Sequence, residues 1–287
     1  MTNFSDQLEQ ISKHIFAEYE AGRLVLPSLP EVITRIQQAI QDKNRGTQQI
    51  ARLIQLDVGL AARLVQVANS PMYQSRFPVE NCQTAIMRLG VKTTRNLVTC
   101  FAMHNIFNSE IKSLHLQIRQ LWKHSCQVAA ICYVLAQLHK GQLQPDKAML
   151  AGLIHDIGVL PVLYYIADYP DIRENKALLA ALIDNMRGVL GRKILEKWAF
   201  DKELLDVPMH AEDWLRDVPG KLDYVDLVVV AQAHSYMGGE RPAGIPALID
   251  IPAFKKMHLS SLGPAASIEL LHESQEEIQN MVQMLLQ

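Results

Sequence analysis

Ala148-Met-Leu-Ala-Gly-Leu-Ile-His-Asp-Ile-Gly-Val-Leu160 is an apolar stretch that contains only two polar side chains, the adjacent His155 and Asp156. An ionised carboxylate in such surroundings is very unfavourable unless a cation, a metal or several hydrogen-bond donors lie beside it. The pair therefore predicts a polar or metal-binding partner elsewhere in the fold.

Helical spacing of apolar residues dominates the rest of the chain. Thr47, Asp57 and Asp146 are predicted to cap helices, and Asp146 would begin the helix that carries His155 and Asp156. The best strand candidate, residues 227–231, continues into a helical pattern. We therefore predict an all-α, multi-helical fold with two packed helical lobes.

Composition restricts the class of protein. The 287 residues include 28 basic and 30 acidic ones, a formal net charge of -2 without a block of like charge, which argues against general nucleic-acid or membrane-surface binding. No apolar run of the roughly 20 residues that a membrane span needs is expected, and the amino terminus lacks a signal-peptide pattern. The four cysteines have no CxxC spacing and indicate buried free thiols in a reducing compartment, so we expect a cytoplasmic protein.

Four residues offer atoms that bind metals: His124, His155, Asp156 and His210. Imidazole nitrogens and a carboxylate from different helices suit zinc, iron or manganese. Such a metal would acidify a bound water for attack on a phosphate ester. The alternative is that these side chains are hydrogen-bonded polar groups of the core, and the residues alone leave both interpretations open.

Several motifs resemble those of known families. His124 followed by 151–158, Ala-Gly-Leu-Ile-His-Asp-Ile-Gly, is similar to the HD superfamily of metal-dependent phosphohydrolases. The segments 26–30, 57–71, 85–91 and 195–198 resemble the HD-related output domain (HDOD) family, in the same order. The resemblance covers roughly residues 24–237 and implies an all-helical fold with a role in bacterial signalling or regulation, generally without demonstrated catalysis.

The sequence departs from the HD pattern at the metal site. The resemblance implies a late aspartate ligand where this chain has Gln232, and a histidine where it has Gly188. His210 alone remains of a histidine pair, since its neighbour is Ala211. An amide oxygen is a poor, neutral ligand for a transition metal. Asp226, six residues before Gln232, would face a different direction on a helix.

The resemblance also implies a domain organisation. We expect an N-terminal lobe over 1–110, an HD-like lobe over 111–240 and a C-terminal extension over 241–287 that packs on the module. The extension ends in an amphipathic tail over 267–286, whose methionine-containing face favours intramolecular packing. The leading hypothesis is a non-catalytic signal-transduction module that binds signalling proteins or a small-molecule ligand. We expect no nucleic-acid or membrane partner and no cofactor, except a divalent metal (Fe, Mn or Zn) if the HD site is functional.

Two alternatives remain at this stage. The first is a metal-dependent phosphohydrolase of phosphomonoesters or phosphodiesters that uses His124, His155 and Asp156, with the missing ligand supplied by Asp226, another carboxylate or the substrate. The second is a helix-turn-helix over 84–97 with Arg88, Lys92 and Arg95 available for phosphates. An ordinary helical hairpin is the favoured interpretation of 84–97, because the chain has no basic recognition stripe.

Overall fold

A computed structural model of the chain describes residues 4–42, 46–73, 76–107, 111–139, 143–237, 244–257 and 263–286. Within these ranges it contains α helices and short 3-10 helices and no β strand, which confirms the predicted all-α fold. The strand candidate at 227–231 lies inside a helix. Its apolar side chains are buried on all faces of that helix, so the apolar run reflects a buried helix and not a strand.

The helices belong to two compact units, residues 28–106 and residues 1–27 with 107–287. The smaller unit contains α2 (Glu31–Gln41), α3 (Thr47–Ile54), α4 (Val58–Ala68), α5 (Cys82–Leu89) and α6 (Val91–Ile106). The larger unit contains α1 (Phe4–Glu20), α7 (His115–Leu138), α8 (Pro145–Ile154), α9 (Val159–Ile166), α10 (Pro170–Glu174), α11 (Lys176–Lys197), α12 (Lys202–Leu205), α13 (Val207–His210), α14 (Tyr224–Ser235), α15 (Pro252–Lys255), α16 (Gly263–Glu273) and α17 (Gln275–Leu286).

Helix α1 belongs to the larger unit, whereas the sequence grouped it with the lobe over 1–110. Ile15 is buried, and the side-chain amide of Asn185 in α11 donates to the Ser12 hydroxyl at 2.9 Å. This contact joins residues far apart in the chain, which helical periodicity cannot reveal. The division into 1–110, 111–240 and 241–287 otherwise stays a prediction.

Caps in the smaller unit follow local sequence signals. Asp57 caps α4 as predicted, since its carboxylate accepts a backbone N–H at 3.0 Å. Asn81 and Thr84 form a capping box at the start of α5. The predicted cap at Thr47 is wrong: Thr47 is the first helical residue of α3, and Gly46 occupies the cap position without a side-chain bond.

The hairpin formed by α5 and α6 turns at Gly90, whose φ of 81° is costly for other residues. Arg88, considered above as a phosphate contact, instead donates to the backbone carbonyls of Ala68, at 3.0 Å, and of Phe77. This arginine therefore serves to hold the smaller unit together.

Helix α8 is shorter than predicted. Gln144 is its cap residue and Pro145 its first residue, so the predicted cap at Asp146 is wrong. The helix ends at Ile154, and residues 155–158 form a backbone turn. His155 and Asp156 therefore lie in the turn between α8 and α9, not within a helix.

Two glycines allow close helix packing around this turn. A Cβ at Gly152 would lie 2.5 Å from the Cα of Ala129, so only glycine lets α8 approach α7 this closely. A Cβ at Gly158 would lie 1.9 Å from the carbonyl oxygen of Arg187 and 2.5 Å from the nitrogen of Gly191. The turn that carries Asp156 is thus pressed directly against the backbone of α11.

In the part of the chain that the structure describes, one stretch, Pro145–Ile166, is long and apolar enough to span a membrane, with a mean hydropathy of 1.6. This corrects the expectation that no apolar run reaches that length. The stretch comprises α8, the turn and α9, and 89% of its most apolar window is buried within protein, as in a core segment. All four cysteines are buried, and none of them forms a disulfide bond, as predicted.

The C-terminal residues form two helices where one amphipathic tail over 267–286 was predicted. Helix α17 contacts α7, and its Met281 and Leu285 side chains are almost completely buried. The methionine-containing face is therefore an intramolecular packing face, in agreement with the sequence interpretation.

We predict that Gly158→Ala destabilises the larger unit by about 1–3 kcal/mol, because the added Cβ requires α11 to move. All three tryptophans, Trp122, Trp198 and Trp214, lie in this unit. Urea unfolding followed by tryptophan fluorescence therefore measures the effect.

Ala199→Gly is the matched control in the same unit. Ala199 has a φ of 53° in a Schellman motif, in which the Phe200 N–H donates to the Leu195 carbonyl at 3.1 Å. Glycine relieves this strained backbone, so a gain of up to about 1 kcal/mol is expected. An equal loss in both variants would contradict the packing argument at Gly158.

Candidate metal centre

Three of the four predicted ligands come together in the larger unit. His124 projects from α7, and His155 and Asp156 come from the turn after α8. One ligand atom of each lies within 4.8 Å of the other two. The imidazole centroids are 5.3 Å apart in an edge-on arrangement. The binding of a metal by these residues stays a prediction.

The tautomer of His155 follows from its contacts. Nδ1 lies 2.7 Å from the Gly152 carbonyl oxygen, which can only accept, so Nδ1 carries the proton. Nε2 lies 3.2 Å from Asp156 Oδ2, and two electron-rich atoms at this distance need a proton or a cation between them. Burial disfavours the charged ring, but Asp156 and the Gly152 carbonyl outweigh it and raise the pKa of His155.

Asp156 is buried and carries the negative charge of the cluster. Burial alone would raise its pKa, but the charge and contact of His155, followed by Arg187, lower the pKa well below its usual range. Arg187 of α11 places Nη1 3.5 Å from Asp156 Oδ1. The carboxylate is therefore ionised and has two positive neighbours.

Arg187 also contacts the carboxylate of Glu212. Its side chain is only 13% exposed, whereas that of Glu212 is 33% exposed. The sequence analysis missed both residues. The available signal was the pair Gly188 and Gly191 on the same helix, since small residues at helical spacing indicate close approach of another element.

Gln232 of α14 is completely buried and its side chain lies beside His124, whose pKa it acts to raise. Its Nε2 donates to the Ala211 carbonyl at 2.6 Å, while its Oε1 is buried without a hydrogen-bond partner. Nε2 of His155 and Oδ1 of Asp156 are buried without one as well. Buried polar atoms without partners are costly and commonly indicate a position for water or an ion.

His124 is half-buried and stacks on Tyr236, with ring centroids 5.7 Å apart. Burial, together with the nearby charge of His155, lowers the pKa of His124, although Asp156, Gln232 and Glu212 act in the opposite direction. Burial raises the pKa of Tyr236 to about 12. Both rings are therefore neutral at pH 7, and they form an uncharged side of the cluster.

The fourth predicted ligand, His210, lies outside this group of atoms. Its Nδ1 is 3.4 Å from Asp213 Oδ2 on the surface, and its side chain is 43% exposed. Gly188 packs against α13, since a Cβ there would lie 3.1 Å from the Cα of Met209. A histidine at position 188 would require α13 to move.

Asp226, the substitute ligand considered above, is bound elsewhere. It is completely buried, and its two oxygens lie 2.6 Å from Arg216 Nη1 and 2.9 Å from Lys256 Nζ. It is not part of the cluster. A direct role for Asp226 as metal ligand is therefore ruled out in this arrangement.

An all-α unit with a His/Asp centre is typical of the HD class of folds. The sequence assigns the chain to a narrower family within this class. It matches the HDOD domain family over residues 26–213. The chain belongs to the HDOD family.

Known structures resemble the whole chain. A candidate metal-dependent phosphohydrolase from Shewanella amazonensis SB2B is 26% identical, with a TM-score of 0.79 over 96% of this chain and 99% of that chain. A candidate signal transduction protein from Marinobacter aquaeolei VT8 is 21% identical, with a TM-score of 0.64 over 99% of this chain and 66% of that chain. An uncharacterised protein of Treponema pallidum (strain Nichols) is 23% identical over 147 residues, which are 51% of this chain but 27% of that protein.

We predict that Asp156→Ala lowers the free energy of unfolding by about 1–3 kcal/mol, because it leaves buried polar groups of His155 and Arg187 without their partner. Urea denaturation followed by tryptophan fluorescence measures the loss. Asp213→Ala is the control, since that carboxylate is 49% exposed and pairs with His210 on the surface. Its effect is expected to stay within about 0.5 kcal/mol. A neutral Asp156→Ala would contradict the structural role assigned to this carboxylate.

Proposed function

We propose that this protein is a regulatory HDOD module that acts by binding a protein or a small ligand and does not hydrolyse phosphate esters. Membership of the HDOD family supports a regulatory role. The similarity to a candidate signal transduction protein is in keeping with it.

Gln232 is the observation that carries this proposal. At the position where the resemblance implies an aspartate ligand, a buried neutral amide reaches the cluster and donates to the Ala211 carbonyl. The remaining donors are two imidazoles and one carboxylate, and the carboxylate already has His155 and Arg187 as positive neighbours. This donor set converges in space but lacks the negative charge that tight binding of a catalytic divalent metal requires.

A small ligand has a candidate place in the described part of the larger unit. A groove of about 640 Å³ lies between α7, α14 and the two C-terminal helices, and this volume is typical of ligand sites. Its floor includes the buried side chains of Ile131, His234 and Leu271. Among the described residues, the lining also contains Lys123 and several side-chain amides but no aspartate or glutamate. These features favour an organic anion with an apolar part.

The second candidate function is metal-dependent phosphoester hydrolysis. It is favoured by the convergence of His124, His155 and Asp156, and by the 26% identical candidate phosphohydrolase. Those three residues would hold the metal, which would supply an acidified water. The neutral Gln232 argues against this candidate.

We expect the wild-type protein, purified without chelator, to contain far less than one equivalent of iron, manganese or zinc by plasma mass spectrometry. We also expect no hydrolysis of bis(p-nitrophenyl) phosphate or of a cyclic dinucleotide when Mn²⁺ is added. Hydrolysis that disappears in both His155→Ala and Asp156→Ala would overturn the proposal.

Substitutions of two neighbouring residues can distinguish ligand binding from catalysis in the source organism. Lys123 lines the groove, whereas the adjacent His124 faces the metal-like cluster. After deletion of the gene, His124→Gln is expected to restore the regulatory output measured by transcript profiling, and Lys123→Glu is expected to fail. The opposite pattern, with both variants folded by circular dichroism, favours the hydrolase.

A further inference from the structure

We propose that Arg187 replaces a divalent metal as the positive charge of this centre. The inference deepens the proposed function and rests on it in one respect, that the wild-type centre holds no tightly bound metal. Arg187 belongs to α11, whereas the candidate metal ligands come from α7 and from the turn after α8.

Two carboxylates lie around Arg187 as they would around a metal ion. Its guanidinium lies 3.5 Å from Asp156 Oδ1 and contacts the carboxylate of Glu212, so that one cation connects two carboxylates. These carboxylates, together with Asp184, raise the pKa of Arg187 despite its burial. A dication placed between His124 and Asp156 would lie close to this fixed charge and be repelled by it.

The guanidinium is held in place by the fold. The backbone of Arg187 packs against Gly158, two residues after Asp156, so closely that a Cβ on Gly158 would overlap the Arg187 carbonyl oxygen. The side chain is only 13% exposed. The close approach that shapes the turn therefore also places the Arg187 backbone beside it, and the contacts with Asp156 and Glu212 hold the guanidinium.

Removal of this charge should raise the affinity of the centre for a divalent metal. A neutral residue at position 187 would free Asp156 Oδ1 and the carboxylate of Glu212, the nearby acid that carries some of the negative charge a metal needs. His124 and His155 would supply the nitrogen donors. The proposal thus assigns Arg187 a positioning and charge-balancing role that a purely structural arginine would not have.

Titration of the full-length protein with Mn²⁺, followed by calorimetry and by electron paramagnetic resonance, tests the inference. Arg187→Gln is expected to bind Mn²⁺ at least about tenfold more tightly than wild type, since one repulsive charge is lost and two carboxylates are freed. Arg187→Lys keeps the charge and is expected to remain a weak binder. Arg192→Gln on the same helix is the control, because that arginine is 43% exposed and pairs with Glu196 and Asp206.

A folded Arg187→Gln that binds Mn²⁺ no more tightly than wild type overturns the inference. If this variant is unfolded without metal, the readout is refolding by circular dichroism: recovery in millimolar Mn²⁺ supports the inference, and a chain that stays unfolded contradicts it. Adding Glu212→Gln to Arg187→Gln should remove part of the gain. Failure here is distinct from failure of the proposed function, which depends on whether the wild-type protein hydrolyses phosphate esters.

Discussion

The buried carboxylate of Asp156 requires positive charge within a few ångströms, because an unpaired ion in an apolar core is strongly destabilising. His155 and Arg187 meet this requirement from two different elements of the larger unit. The local architecture is consistent with it: Gly152 lets α8 approach α7, and Gly158 lets the turn approach α11. Charge pairing at one side chain and the packing of three helices are thus parts of one arrangement.

Much of this arrangement could be predicted from the sequence, and the reasons are local. Two polar residues in an apolar segment identified His155 and Asp156, the metal-binding residue type of His124 added a third ligand, and motif resemblance added Gln232. Asp57 was predicted as a cap because its signal lies within one helical turn. His210 was predicted from its residue type and from the resemblance, and the structure places it at the surface beside Asp213 instead.

The rest depends on distances between segments that are remote in the chain. Arg187 and Glu212 could not be assigned from sequence because their roles follow from the approach of α11 to the turn. The end of α8 at Ile154 was also missed, since the apolar pattern resumes directly after His155 and Asp156 and continues into α9. Side-chain direction determined the role of Asp226, whose charge pairs with Arg216 and Lys256 and not with the cluster.

Shared architecture and shared chemistry are separate matters in this family. The 26% identical Shewanella protein has the same overall fold, yet a fold does not by itself assign a reaction. Under the proposed function, the difference between a hydrolase and a binding module reduces to a few charged or neutral side chains around one small space. Gln232 removes a negative charge from that space, because the resemblance implies an aspartate there, and Arg187 adds a positive charge.

The position of Asp226 has a practical consequence for where this protein can be divided. The family match ends at residue 213, but Asp226 and its partners Arg216 and Lys256 all follow it. A polypeptide cut at the end of the match would lose α14 and expose the apolar surface that this helix covers on α7 and α8. A fragment that keeps both partners of the buried Asp226 therefore has to extend to Lys256, well past the boundary that sequence similarity suggests.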